Sequence, residues 1–502
     1  MPEPRGPSAA PPLAVVDIGS NSGRMIVVRF SGEGHLEIEA DARAPLRLVR
    51  DVDGAGRLGS AATARVIDAL QRFQAVAEVS GATSMVAVAT AAVREASNCA
   101  EFVAEVADAT GVEMEVISGD QEARYAFMGA VHGLPVESGM IVDVGGGSLE
   151  LCRFRNRRPL QQWSLPLGAM RLTGRFLKGD PPKSGEISRL QTHVAETLAD
   201  AAVGELRPDE AAVGTGGSVR ALAKVHRAAH VYPIPRLHGY RLLASDIEGL
   251  ADQLADRTAS RRRNTPGLSP ERAMSIVGGA LCTETLLVSL HASKLLVAGW
   301  GLREGVAIER LGIAMAAPRD VRGASVHSLC ARFSTWRRDR AHRRAGIAAT
   351  LLDELEGGSS ADALELIDHA AILVDIGRSV DYYSRWQHSS AIVTAADLYG
   401  FGHRDIVMVA AVLERAGSGR VSLPGARLLL GPADRRLVDR LAVVLALAEH
   451  LTETSRDEHA PTLTVKRQLA TLHVADAGIP ADVTAGVQRA FGLRLRVDTA
   501  RD

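Results

Sequence analysis

Between Leu13 and about Val131, short apolar runs alternate with segments whose apolar residues recur every three or four positions, a pattern that predicts strands and helices in turn. Stretches 84–89 and 113–118 read as strands, and 63–79 and 101–110 as helices. The loop 131–139, with Gly133, Pro135 and Gly139, marks a boundary. The alternation then restarts: strands at 140–144, 149–154 and 162–165 lead into helices near 171–177 and 187–206. Strands at 210–213 and 294–298 each run into a glycine turn. Alternation of this kind indicates α/β layers. After Pro318 the pattern turns helical, over 325–339, 343–355, 361–374, 389–399, 405–416 and 436–452. Period-two patterns return at 462–473 and 493–497 and fit a small sheet. The expected division is a first α/β domain over 13–131, a second over 132–315, a helical domain over 316–456 and a small α/β segment over 457–502. Residues 1–12, rich in proline and without an apolar signal region, read as a disordered tail.

Two strings sit at equivalent places in the two α/β segments: Asp17-Ile18-Gly19-Ser20-Asn21-Ser22 and Asp143-Val144-Gly145-Gly146-Gly147-Ser148. Each follows one apolar run and precedes another, so each predicts strand, tight turn, strand. Glycine lets a turn backbone adopt unusual angles and lets its N–H groups approach an anion closely. Serine adds a donor, and an aspartate at a strand end suits a hard cation such as Mg²⁺. One such string is weak evidence; the pair suggests two half-sites gripping phosphates across a cleft. A third turn, Gly214-Thr215-Gly216-Gly217-Ser218, leaves a strand and opens a helix, whose N-terminus is a natural anion site. Taken alone it is equally a tight strand-to-helix turn with no ligand.

Composition narrows the picture. The chain has 502 residues, 46% of them hydrophobic, enough for more than one core. A formal net charge of −1 advertises neither nucleic acid nor an anionic membrane as a partner. Only five lysines occur, so arginine carries almost all the basic charge. The four cysteines stand far apart, which fits a reducing compartment, and no apolar run is long enough to span a bilayer. A cytoplasmic location is the expectation.

Single residues carry two readings each. Ser118 with Gln121 fits a capping box, and Asp120 and Glu122 belong in a helical first turn for electrostatic reasons alone; the functional alternative has Glu122 reaching a cleft and orienting a water. Glu150 shares a face with Ser148 and is either a solvated strand carboxylate or a ligand for metal or water. Arg94 could clamp phosphate or pair with Glu95. The clusters Arg337, Arg338, Arg340, Arg343, Arg344 and Arg261 to Arg263 read first as solvated helix faces and second as polyanion contacts. Asp375, with Val374 where a metal-binding His-Asp pair would need histidine, and His388 read as structural.

Together the segments VVDIGSNSGRMIV, ATAAVREASN, VISGDQEARYAFMGAV, MIVDVGGGSLEL, LPLGAMRL and AVGTGGSVRAL resemble the exopolyphosphatase/guanosine pentaphosphate phosphatase family of the actin-like ATPase superfamily. The resemblance implies two actin-like (ribonuclease H-like) α/β domains facing a cleft, followed by a mostly helical HD-like domain with a decayed signature. It gives Glu122 the place of the catalytic base, and makes Asp143 and Glu150 the carboxylates that organise metal and water. Asp17, Asp143 and Glu150 would hold Mg²⁺ or Mn²⁺. Gly19, Ser20, Asn21, Ser22, Arg94, Gly145, Gly146, Gly147, Ser148, Gly214, Thr215, Gly216, Gly217 and Ser218 match the phosphate-binding set. Gln121 stands where many members have glutamate, and Gly23 replaces a usual phenylalanine, which implies a wider cleft mouth. The implied activity is processive, Mg²⁺-dependent removal of terminal phosphate from inorganic polyphosphate by a homodimer. Guanosine pentaphosphate hydrolysis at the same site is the alternative; a kinase of the superfamily or a non-enzymatic regulator are further ones.

Overall fold

The structure, a computed structural model, describes residues 11–31, 35–454, 461–474 and 478–499. Most of the proline-rich N-terminal tail therefore lies outside the described residues. Chain segments up to His230 together with Arg236–Val321 form one unit, and Val231–Pro235 together with Arg322 onward form another.

In the first unit, β1 (Leu13–Ile18) is a continuous apolar run and lies buried at the centre of a sheet. It pairs antiparallel with β2 (Ser22–Phe30), which pairs with β3 (Leu36–Pro45), and parallel with β4 (Ser84–Ala89), followed by β5 (Met114–Val116). The sheet order is β3-β2-β1-β4-β5. A second sheet repeats the plan. Its central strand β6 (Gly139–Val144) pairs antiparallel with β7 (Leu149–Arg155), which is followed by β8 (Arg158–Leu165). On its other side β6 pairs parallel with β9 (Ala211–Thr215). With β10 (Tyr240–Leu243) and β11 (Lys294–Val297) the order is β10-β11-β9-β6-β7-β8. In both sheets a glycine turn joins the central strand to its antiparallel partner, so the sequence duplication is also a structural one.

Helix Gly119–His132 precedes the 131–139 boundary in sequence, yet it packs on the second sheet. Its Ala123, Ala126, Phe127, Ala130 and Val131 share a core with Ile141, Cys152, Phe154 and Val213. The helix expected over 187–206 is Ser184–Asp200, stopped where Ala202 takes a left-handed conformation. The helix expected over 325–339 lies earlier, at Pro318–Ala331, and the one expected over 343–355 is Arg338–Glu356. Between them Trp336 Nε1 donates to the Ile372 carbonyl at 3.1 Å, which draws the chain out of helical path.

The second unit is helical and closes on a three-stranded sheet of β12 (Thr462–Lys466), β13 (Leu469–Val474) and β14 (Arg494–Thr499) in that order. Its arginine cluster is not uniformly a solvated face. Arg344 is fully buried: its Nη1 donates to Glu449 at 2.5 Å, its Nη2 to Asp375 at 2.9 Å, and its Nε to the Ala371 carbonyl at 2.7 Å. Arg340, Arg378 and Arg385 join the same network. In the first unit Arg262 is likewise buried, paired with Asp180 at 3.1 Å. Among the described residues no helix is long and apolar enough to cross a membrane.

Candidate active site

The two hairpin turns have the same hydrogen-bonded shape: Gly19 N–H donates to the Ser22 carbonyl at 3.3 Å and Gly145 N–H to the Ser148 carbonyl at 3.0 Å. Their other carbonyls face away, toward following helices. Ser20 O accepts from Val49 N–H, while Gly145 O and Gly146 O accept from Ala169 and Met170 N–H. The turns meet each other, with Ser20 packed against Gly147 and Asn21 against Gly146.

Register brings the carboxylates together. Asp143 lies directly opposite Glu150 across β6 and β7, and level with Thr215 on β9. Asp17, the equivalent residue of β1, enters the same cavity from the first sheet, and Glu122 enters from the first turn of helix Gly119–His132. That turn carries the capping box: Gln121 N–H donates to Ser118 Oγ at 3.1 Å, and Ser118 N–H to Gln121 Oε1 at 2.8 Å. The capping box is present, and the same helix start that favours acidic residues also brings Glu122 to the cavity. Glu150 is buried, only 2% exposed, and accepts from Ser164 Oγ at 3.1 Å. The solvated-strand reading of it fails.

Gly19, Ser20, Asn21, Ser22, Gly145, Gly146, Ser148, Thr215, Gly216, Gly217 and Ser218 line the cavity as expected from sequence. Gly216 has φ +80°, and a Cβ there would overlap Asp143 Oδ1, so only glycine permits this approach. Three expected residues stand back from the cavity. Gly147 is the seat for Ser20, and Gly214 lies inside β9 against Leu295 and Val219. Arg94 donates instead to Glu122 Oε2 at 3.2 Å and to the Ile117 carbonyl at 2.7 Å, while Glu95 pairs with Arg171. Gly23 does not widen the cleft mouth: its absent side chain would point into the core, onto Leu46 and Phe73. Strand periodicity explains this, since Ser22 and Arg24 on either side face the cavity.

Four arginines that no local motif singled out complete the lining: Arg24, Arg220, Arg272 and Arg303. Arg24 shares its strand face with Ser22, a period-two signal available in the sequence; the others come from separate segments. The cavity thus holds buried carboxylates and buried arginines together, and burial is the leading effect on both. Burial pushes Asp17 up to about 6 and Glu150 up to about 8, with Asp143 adding to both effects. Asp143 and Glu122 are also raised, chiefly by burial; Glu150 adds to the rise at Glu122 and Arg94 opposes it. Burial, then neighbouring guanidinium groups, lowers Arg24 to about 9 and Arg272 to about 10. Asp17 Oδ1 is buried and has no hydrogen-bond partner. Among the described residues no three His, Cys, Asp or Glu side chains are already drawn together as a metal cluster. The donor set nevertheless fits a hard divalent cation, since it is all carboxylate oxygen with one oxygen unsatisfied.

Comparison with known proteins agrees with this geometry. Residues 27–313 match the Ppx/GppA phosphatase family, and 321–476 match the domain III of Ppx/GppA phosphatases. Exopolyphosphatase 1 of Mycobacterium leprae is 34% identical over 62% of this chain and 96% of that protein. Exopolyphosphatase 1 of Mycobacterium tuberculosis is 32% identical over 63% of this chain and 93% of that protein. The crystal structure of the Aquifex aeolicus Ppx/GppA family member is 29% identical, with a TM-score of 0.54 over 60% of this chain and 97% of its own. Duplicated sheets, paired glycine turns and a carboxylate-and-arginine cavity thus coincide with the matched region, and the chain belongs to the Ppx/GppA phosphatase family of hydrolases.

Proposed function

We propose that the protein hydrolyses the terminal phosphate of inorganic polyphosphate in this cavity. The observation that carries the reading is one buried pocket lined by both carboxylates and arginines, with burial the leading effect on each. A divalent cation relieves the carboxylates and a polyanion the arginines, so the lining is complementary to a metal–phosphate chain. The relatives called exopolyphosphatase support the same substrate. An inorganic chain is favoured over guanosine pentaphosphate because the cavity lining among the described residues contains no aromatic ring on which a base could stack.

In this reading Asp17, Asp143 and Glu150 hold Mg²⁺, which when bound polarises the phosphoryl group and offsets charge on the leaving oxygen. The cavity-facing turn amides other than those of Gly19 and Gly145, with the four arginines, hold phosphate oxygens, and the start of helix Gly216–Ala228 adds its dipole. Phosphoanhydrides are already activated, so catalysis is mainly positioning and neutralisation. Glu122 orients the attacking water and takes its proton, and burial strengthens it as a base. Arg94 fixes the Glu122 side chain from behind.

The test measures phosphate release from long polyphosphate and from guanosine pentaphosphate, each with and without Mg²⁺. Faster, Mg²⁺-dependent release from polyphosphate is expected. Glu122→Gln should cut turnover by roughly 10²- to 10⁴-fold with an unchanged melting temperature. Near-normal release by that variant refutes the role of Glu122, and release from neither substrate refutes the function.

A further inference from the structure

Gly299, just before the cavity-lining residues 301–303, is held through both its carbonyl and its N–H. The Gly299 carbonyl accepts from Arg220 Nη1 at 3.3 Å, and the Gly299 N–H donates to His238 Nδ1 at 3.3 Å. One residue on, the Trp300 carbonyl accepts from Thr215 Oγ1 at 2.9 Å, and that oxygen accepts from Arg220 Nη1 at 3.1 Å. The next residues, Gly301, Leu302 and Arg303, line the cavity. A side chain at Gly299 would press on His238 Cβ at 3.0 Å, so ring and loop are packed without slack.

His238 is buried, 6% exposed. A histidine that accepts an N–H at Nδ1 is a neutral ring carrying its proton on Nε2. The surroundings enforce neutrality: burial foremost, with Arg236 and His132 nearby, lowers His238 to about 4 although the Gly133 backbone opposes the shift. The ring lies 5.9 Å from Trp300, which stacks with His132 at 6.2 Å.

We infer that His238 is a positioning residue for the hydrolysis, tying down the loop that carries Gly301 and Arg303 through the Gly299 N–H and so holding the Gly299 carbonyl that seats Arg220 beside Asp143. The inference rests on the proposed roles of Glu122 and Arg220, but the tie itself is a property of the fold. His238→Phe keeps ring volume and loses the Gly299 hydrogen bond; His238→Asn keeps an acceptor on a shorter arm. Turnover and KM on long polyphosphate are measured for both, together with hydrogen–deuterium exchange over residues 296–303. His238→Phe should lower kcat roughly ten- to hundredfold, since small misplacements carry such penalties, with KM little changed. Exchange in the segment should quicken in the Phe variant, and His238→Asn should recover part of both. Exchange unchanged in both variants overturns the tie, whether or not the wild-type protein acts on polyphosphate. Quickened exchange with wild-type kcat in both overturns the positioning role alone. An inactive wild type refutes the function instead. If His238→Phe fails to fold, His238→Leu, which cannot accept from Gly299, takes its place; normal melting with wild-type exchange and kcat in that variant overturns the inference.

Discussion

Asp17 shows at the scale of one side chain what the cavity asks for. Its carboxylate is at the end of a buried strand, and Oδ1 has no partner. Removing a charged carboxylate from water costs several kcal/mol unless something compensates it. Arg24 and Arg303 compensate only in part, since burial still dominates. Asp17→Asn keeps the shape and removes the charge. Without Mg²⁺ the variant should melt higher than wild type, by about 2–4 °C per kcal/mol recovered in a domain of this size. Adding Mg²⁺ should stabilise the wild type and leave the variant nearly unmoved, while phosphate release falls at least about tenfold. Thermal melts with and without Mg²⁺ measure both effects; a variant that melts lower in metal-free buffer would mean the carboxylate is already satisfied.

At the scale of elements, helix Gly119–His132 is anchored at both ends. Arg157, 5% exposed, donates to the carbonyls of Val131, His132, Leu134 and Val136 at 2.7–3.1 Å and so satisfies the helix end that lacks intrahelical partners. Helix Leu302–Arg310 crosses it closely, because side chains at Gly129 and Gly305 would overlap the backbones of Gly301 and Tyr125. In the helical unit, a chain of side chains joins helices in a comparable way. Arg322 grips Glu365 with two bonds of 2.8 Å, and His369 Nε2 lies 3.6 Å from it. His369 and Arg322 hold the Glu365 carboxyl down to about 2, against 4.5 when free. A depressed acid stabilises the fold above its free value and loses that stabilisation as pH falls through the folded one. Glu365→Gln should therefore melt a few degrees below wild type at pH 7, with the gap narrowing steadily from about pH 5 to pH 3. A gap that stays constant over that range would show that the ion pair is not its source. Elements with local signals were legible in the sequence, the paired turns and the capping box among them. Glu122 and Glu150 were singled out only through the family resemblance, since a helical first turn or a strand accommodates such residues without any site. Arg220, Arg272 and Arg303 were not, since only tertiary convergence of distant segments makes them one group. Arg344 misled for the same reason: its partners Asp375 and Glu449 lie 31 and 105 residues away. Gly23, by contrast, was readable from strand periodicity, which sends it to the opposite face from Ser22 and Arg24.

At the scale of the whole molecule, the chain carries two units of unequal kinship. The two exopolyphosphatase 1 relatives match 62% and 63% of this chain over 96% and 93% of their own length, an extent close to that of the first unit. Here, however, Val231–Pro235 belongs to the helical unit. Ile234 is fully buried in that unit's core, and Tyr232 donates to or accepts from His403 Nδ1 at 2.9 Å. Gly425 packs on the Val231 carbonyl in the same unit. A chain cut after Val321 therefore keeps every residue of the proposed cavity but leaves Ile234 and Tyr232 without their core. Exposed apolar side chains of this kind promote association. The truncated chain should retain phosphate release within about an order of magnitude, since no residue that holds phosphate, metal or water in the proposed mechanism is removed. It should also associate at high concentration, and Ile234→Ser with Tyr232→Ser should restore a monodisperse species without changing kcat. Light scattering and phosphate release on the same samples measure the two effects. A soluble, folded truncation that releases no phosphate would show that the helical unit supplies something to the reaction itself.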